Sequence, residues 1–434
     1  YRSDVWESFW DGYEPEGPDD QLFLKAVPPE GLRSYRSLVH SMWALDHQGV
    51  DYVARTISRC RLRGVSPWVS LRMNDVHFND NMQHPFHPDF WRDSKRWRDG
   101  SMGYYQRALD YGQPEVRGMY RKLIVETLER YDIDGLELDF MREPYLFREG
   151  QEQSGGEILT QFLREVRKLV DETAAKRGHP IALGVRVPSR VVVAQAWGLD
   201  AVAWAKEKLV DLVVVTPRWG TLEYDMPIAE WKKLLEPTGA TLAGGLEILC
   251  RPMPASPAVF VTPAQAAGAA TAVLSGGADA AYLFNYFPSI IGGRGWSRET
   301  YVKTLGAMNS LPTVAALPRE HVVTWRDIVG PHEQYTPPLP VSGTTLAFAL
   351  PTGPAPSPGA KVTLEISLEQ GATEAPTVAV NGSVAEYVGR HGEKPVVLEY
   401  HVPPATLTAA GRASIEVKSA AEATVVGVSL SITP

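Results

Sequence analysis

Between about residue 34 and residue 310, short runs of β-branched and apolar residues alternate with stretches whose apolar positions recur at helical spacing. That alternation predicts βα units built around a parallel sheet. The strand-like runs are Arg36–Met42, Pro67–Arg72, Gly135–Phe140, Ile181–Val187, Leu212–Thr216, Thr241–Glu247 and Ala280–Asn285, and Val5–Phe9 is a candidate for one more. Helical patterns lie between them at 51–62, 114–131, 156–177, 199–208, 228–235, 263–275 and 297–309. Thr262-Pro263 and Ser297 are helix starts of the kind that cap the first turn. The expectation is an α/β chain, a (β/α)8 TIM barrel over residues 1–315.

After Pro312 the pattern becomes short alternating runs between Pro- and Gly-rich turns, near 345–350, 361–367, 377–380, 396–401, 413–417 and 424–432. This predicts a C-terminal β-sandwich over residues 316–434. Asn381-Gly382 is a two-residue hairpin signal. From Thr345 onward the aromatic residues are Phe348, Tyr387 and Tyr400, too few for a sugar-stacking platform, so the sandwich is read as a packing module.

Composition narrows the function. A chain of 434 residues, 44% hydrophobic, is large enough for two domains. Its net charge of -8 and the lack of any basic run exclude nucleic acid as a partner. The longest apolar run, around Leu209–Thr216, is too short to span a membrane. Twelve Trp and seventeen Tyr, many beside Gly, Pro and Asp, suit stacking on sugar rings. The chain opens at Tyr1 without a leader, and an extracellular or periplasmic protein with its leader removed is the expectation. Cys60 and Cys250 leave one disulfide open, and assembly with further copies of the chain is also left open. No dinucleotide fingerprint, Walker phrase or nucleophile elbow is present.

The segment Tyr131–Arg142 carries the densest chemistry. On a strand, Gly135, Glu137 and Asp139 share the inward face, while Leu136, Leu138 and Phe140 face the helices. Burying two acids in succession costs several kcal/mol (roughly) unless they are paired or used. Asp139 lies at the carboxyl end, where barrel enzymes hold their catalytic groups, and Glu137 one layer deeper. The plainer alternative is a structural ion-pair network with Arg72, Arg142 or Arg186.

The phrase Arg107-Ala-Leu-Asp110-Tyr-Gly-Gln-Pro114-Glu-Val-Arg117, followed by Tyr131-Asp-Ile-Asp134-Gly135-Leu-Glu-Leu-Asp139-Phe, resembles the glycoside-hydrolase-like barrels related to glycosyl hydrolase family ten. That resemblance implies a TIM-type barrel, with the Asp-Gly-x-x-x-Asp phrase ending its fourth strand at the active site. Phe140 stands where that family usually has a second Asp, and Met141 where chitinase-like barrels need Glu. A chitinase reading is disfavoured accordingly.

Glycoside hydrolysis generally uses two carboxyl groups. Glu247, near the end of a later strand, is the expected partner of Asp139; its alternative is a buried partner for Arg218 or Arg251. Asp75 and Asp225 also follow strands and stand behind these two. Arg72, Arg142, Arg186 and Arg218 at strand ends suggest recognition of a carboxylate or sulfate, hence an acidic glycan. A sialidase or uronidase reading stays open, with His77 as base.

The insertion 74–112 carries Trp91, Trp97, Tyr104 and Tyr105 and is expected to build the cleft. Its His77, His84 and His87 with nearby acids permit a metal reading, but no metalloprotease-type motif supports one, and no metal or cofactor is called for. Asn74, Trp219, Asn285 and Tyr286 complete the expected sugar contacts; the bland reading of the aromatics is a cap on the barrel.

The expectation is therefore a glycoside hydrolase acting on an oligosaccharide or polysaccharide, with Asp139, Glu247, Glu137 and His77 as its catalytic groups. Its rival is a non-catalytic carbohydrate-binding barrel. The enzymatic reading as a whole requires that Asp139 be ionisable and reachable at the open rim of the barrel; an Asp139 sealed from solvent and locked onto a cation, with no cavity beside it, counts against it.

Overall fold

The computed structural model describes residues 1–434 except 22, 23, 26, 85, 101, 288–295, 371–373 and 409, and the Tyr104 side chain named above also lies outside the described residues. The chain divides into two compact units, Tyr1–Val187 with Ala194–Leu212, and Pro188–Val193 with Val213–Pro434.

In the first unit three parallel strands stand side by side in chain order: β1 (Trp68–Arg72), β2 (Gly135–Asp139) and β3 (Ala182–Pro188). Their register puts Arg72 opposite Asp139 and Asp139 opposite Arg186, so one row across the strand ends reads Arg-Asp-Arg. The helix Tyr52–Leu62 precedes β1, and the helices Pro114–Arg130 and Glu152–Arg177 precede β2 and β3, as the helical periodicity predicts. Leu136 and Leu138 are fully buried, as are Ile124 on the second of these helices and Leu159 and Leu163 on the third.

Two expected strands are not strands. Arg36–Met42 lies inside the helix Pro29–His47, which starts with Pro in its first turn. Leu32, Tyr35, Val39, Met42 and Trp43 recur at three- and four-residue spacing and pack with Trp10 and Tyr13, a helical rather than an alternating face. Val5–Phe9 is irregular because side chains take its amides: Ser3 Oγ accepts from Val5 and Trp6 N–H, and Asp11 from Ser8 N–H. Among the described residues the parallel strands thus number six rather than eight.

The second unit contains the other three, β4 (Leu212–Thr216), β5 (Thr241–Leu246) and, after the short pair β6 (Leu249–Cys250) and β7 (Val259–Phe260), β8 (Ala280–Leu283), parallel to β5. Between β7 and β8 runs the helix Pro263–Ser275, opened by the Thr262 capping box. The same unit holds an antiparallel sheet of β9 (Arg319–Val322), β10 (Val341–Pro351), β11 (Lys361–Leu368), β12 (Thr377–Val380), β13 (Ser383–Val384), β14 (Glu386–His391), β15 (Val396–His401) and β16 (Arg412–Thr433). The two runs expected at 413–417 and 424–432 are one continuous strand, β16. Its first half lies between β10 and β12 and its second between β9 and β11, and both halves feed one core. Asn381 and Gly382 both take positive φ, the two-residue turn that joins β12 to β13. Cys60 and Cys250 are free thiols, which corrects the open disulfide.

The helix Pro263–Ser275 approaches β9 closely at Gly268, where an added Cβ would lie 2.0 Å from the Glu320 carbonyl oxygen. Main chain cannot step aside as a side-chain tip can. Gly268→Ala should therefore lower stability by about 1–3 kcal/mol or more, whereas Gly118→Ala, with nothing within 4 Å on the helix 114–130, should raise it by about 0.5–1 kcal/mol. Urea midpoints of the two variants test this, and equal shifts would contradict it.

Candidate functional site

The strand-end row of the first unit is anchored by a buried ion pair. Asp139 is 2% exposed and Arg186 fully buried, with Arg186 Nε 2.9 Å from Asp139 Oδ1. The same oxygen accepts the main-chain N–H of Met141 at 2.9 Å and of Arg142 at 3.1 Å. Asp139 thus ties the turn after β2 to the neighbouring strand. It is not presented to solvent, so the condition that the enzymatic reading placed on Asp139 is not met, and any such reading must rest on other groups.

Glu137, one layer lower in register with Ser70 and Gly184, is also buried. Asn74 is buried at the end of β1 and clasps the far end of the insertion, its amide donating to the Leu109 carbonyl and accepting the Leu109 N–H, both at 3.0 Å. The Tyr111 hydroxyl donates to the Met73 carbonyl beside it. These bonds make Asn74 a clasp for the loop, its polar atoms turned to the chain itself.

The reachable groups lie just beyond. Arg72 Nη1 donates to Asp75 Oδ2 at 2.9 Å, and Asp75 Oδ1 receives both the His77 N–H at 2.9 Å and the His77 ring Nδ1 at 2.5 Å. The other ring nitrogen, Nε2, is 2.5 Å from Arg142 Nη2. These bonds assign the Nδ1–H tautomer, with Nε2 as acceptor. The side chains of Arg72 and His77 are 47% and 43% exposed. Burial alone would raise the Asp75 carboxyl; the His77 ring and N–H and the Arg72 guanidinium outweigh it and hold Asp75 well below the usual carboxylate range. One anion and two guanidiniums leave this solvent-facing cluster with a surplus of positive charge.

The insertion is packed differently from the expectation of open sugar platforms. Trp91 is 3% exposed, its ring stacked on His87 at 3.7 Å and its Nε1 donating to the Arg107 carbonyl. His84 stacks on Phe78 at 3.6 Å. The aromatics of this segment build a small core with the histidines, which is why Trp91 cannot line a cleft.

The remaining expected residues lie in the second unit. Glu247 is 2% exposed, its Oε1 accepting the N–H of Ile248 and its carbonyl the Tyr286 hydroxyl. Tyr286 is buried, and Asn285 at the end of β8 has φ +62. Arg218 is buried over the Trp219 ring, 4.9 Å from its centroid, while Trp219 itself is 40% exposed. Asp327 fastens that loop, accepting from Arg218 N–H at 3.0 Å, from Trp219 N–H at 2.8 Å and from Gly220 N–H.

Beside it stands an acid that the sequence reading missed. Glu223 is 2% exposed; its Oε2 accepts from the Ser189 hydroxyl at 2.7 Å and its Oε1 has no hydrogen-bond partner among the described residues. Burial first, then Asp327 and Asp225, push its carboxyl up to about 8. Nothing in the linear phrase Thr-Leu-Glu-Tyr-Asp announces this, since the burial and one of the two repelling charges come from elsewhere in the chain.

Residues 33–165 match the family described as Glycosyl hydrolase-like 10. The resemblance read from the Arg107–Phe140 phrase is shown by this match, which covers under a third of the chain. No curated protein matches. Among solved structures, the chain is similar to the Bacillus subtilis glycosylase ydhD at 14% identity, covering 48% of this chain and 62% of that one, with TM-score 0.30. A family 18 N-acetylglucosaminidase of Paenibacillus barengoltzii follows at 15% identity, 31% and 45% coverage and TM-score 0.24. A family GH18 chitinase of Chromobacterium violaceum has 10% identity, 88% and 77% coverage and TM-score 0.30. The chain thus spans less than two thirds of the first two, and likenesses this slight transfer no chemistry.

Two outcomes follow from these environments. Asp139→Asn leaves the Arg186 charge buried without its partner and should cost about 3–5 kcal/mol; a loss below about 1 kcal/mol in chemical denaturation would show the pair to be dispensable. Glu223 keeps its proton in the folded chain up to about pH 8, while the unfolded chain releases it near 4.5. The unfolded state binds fewer protons in that window, so stability falls as pH rises through it. Glu223→Gln should flatten the decline in denaturation midpoint between pH 5 and pH 8, and an unchanged slope would contradict the assignment.

Proposed function

We propose that the protein is a glycoside hydrolase acting on an acidic glycan, with its reachable site at the Arg72, Asp75, His77 and Arg142 cluster. The observation that carries this reading is the exposed His77 ring 2.5 Å from the half-buried Asp75, held between two guanidiniums at the end of β1. Arginine pairs with carboxylate or sulfate in a forked geometry, so an acidic substituent of the sugar draws Arg142 off His77 Nε2. That frees the nitrogen to move a proton while Asp75 fixes the ring. Asp139 becomes a positioning residue, acting through the Arg142 main chain.

The parallel strands flanked by helices are read as (β/α) barrel units, and the antiparallel sheet as a sandwich folded about β16. Placement outside the cytoplasm goes with a polysaccharide substrate.

Non-catalytic carbohydrate binding is the second reading, favoured by the sealing of Asp139 and Glu247, which removes the paired carboxyl groups that most glycosidases need. Hydrolysis and binding measured on sialylated, uronic-acid, sulfated and neutral glycans decide between them. The account expects turnover on acidic glycans, lost by about a hundredfold or more in His77→Ala, and binding weakened in Arg142→Ala. Binding without turnover would establish the second reading, and a preference for neutral sugars would overturn the anionic site.

A further inference from the structure

The turn bearing Asp75 and His77 continues into Phe78, whose φ is +59. A bulky residue seldom adopts that conformation unless its surroundings impose it. Two histidines do so. The His84 ring lies flat on Phe78, 3.6 Å away and 9° from parallel, and the His87 Nε2 bonds the Phe78 carbonyl at 2.9 Å. His87 is stacked in turn on Trp91. The Phe86 N–H donates to His84 Nδ1 at 3.3 Å, which requires a lone pair on that nitrogen. His84 and His87 are 3% and 6% exposed.

We propose that His84 and His87 are positioning residues that latch the Asp75–His77 turn onto the end of β1, and that the latch opens in acid. As control of the site this rests on the function proposed above; as a conformational equilibrium it does not. The titratable and charged groups around the pair are Arg92 and Arg107, Asp75 and Asp80, His77 and Tyr35. Burial first, and then the neighbouring His87 ring, hold His84 at about 4; burial also holds His87 below its ordinary value, against the Phe78 carbonyl, which favours its charged form. A folded value below the unfolded one means that the contribution is complete above about pH 6.5 and is lost as pH falls toward the folded value. Within that window each pH unit shifts the opening equilibrium by about tenfold through His84, whose Nδ1 loses the Phe86 N–H on protonation.

Hydrogen exchange of the full chain at pH 7 and pH 5 tests the latch without any ligand. The reporters are the amides of Asn79, Asn81, His84 and His87, each bonded to a carbonyl three residues back, with the helix 152–177 as internal reference for the intrinsic pH effect. The expected result is at least a tenfold loss of relative protection at pH 5 in the wild type, and none in the double variant His84→Phe/His87→Phe, which keeps flat rings without the proton site. Equal protection at both pH values in the wild type, or equal loss in the variant, overturns the proposal. If the variant is unprotected already at pH 7, ring NMR titration of the wild type decides. Depressed midpoints that move together with the amide shifts of 76–87 support the latch, and ordinary midpoints or an unresponsive turn refute it. A latched turn at pH 7 that binds no acidic glycan would sink the site while leaving the latch standing.

Discussion

One carboxylate oxygen organises the strand ends of the first unit. Asp139 Oδ1 meets the Arg186 guanidinium from β3 and the N–H groups of Met141 and Arg142 that follow its own strand. Removing two charges from water costs several kcal/mol (roughly) for each ion, so such a pair persists only when its geometry is nearly complete. Its reach extends to the surface, because the residue whose main chain it holds, Arg142, is also the one whose side chain meets His77.

The arrangement separates two roles that a motif reading merges. The buried acid holds shape; the exposed imidazole, with Asp75 behind it, is where a solute can arrive. In the proposed site the Asp-Gly-x-x-x-Asp phrase supplies a buried structural group and not the group that would meet a sugar. The same division holds in the second unit, where Glu247 spends an oxygen on its neighbour's N–H and Trp219 stays exposed on a loop fastened by Asp327.

The parallel strands β1 to β5 and β8 were legible because such strands are short, apolar runs between helical patterns, whereas the two-residue antiparallel pair β6 and β7 was not; Ile228–Leu235 and Pro263–Ser275 were legible to the residue from their periodicity. Arg36–Met42 misled because a short apolar stretch does not distinguish two periods by itself; Leu32 and Tyr35 upstream and Trp43 downstream settle it as helix. The break expected near 419–423 reflects polar and small residues at an exposed stretch of β16, where pairing changes partner and the chain does not turn. Asp75 could have been ranked higher, since Arg72-x-x-Asp75-x-His77 directly after a strand already places three complementary groups within one turn. Trp91 and Glu223 could not, because their burial is made by residues distant in sequence or by loops whose path no local pattern fixes.

The most direct measurement is a crystal structure of the protein with an acidic sugar bound. The account predicts the sugar's anionic group on Arg142 and Arg72, His77 Nε2 freed to accept a proton from a water or hydroxyl beside the glycosidic bond, and Asp139 still on Arg186. A sugar seated against Asp139 with Arg186 displaced, or against Glu247 with the Arg72–His77 cluster empty, would contradict it.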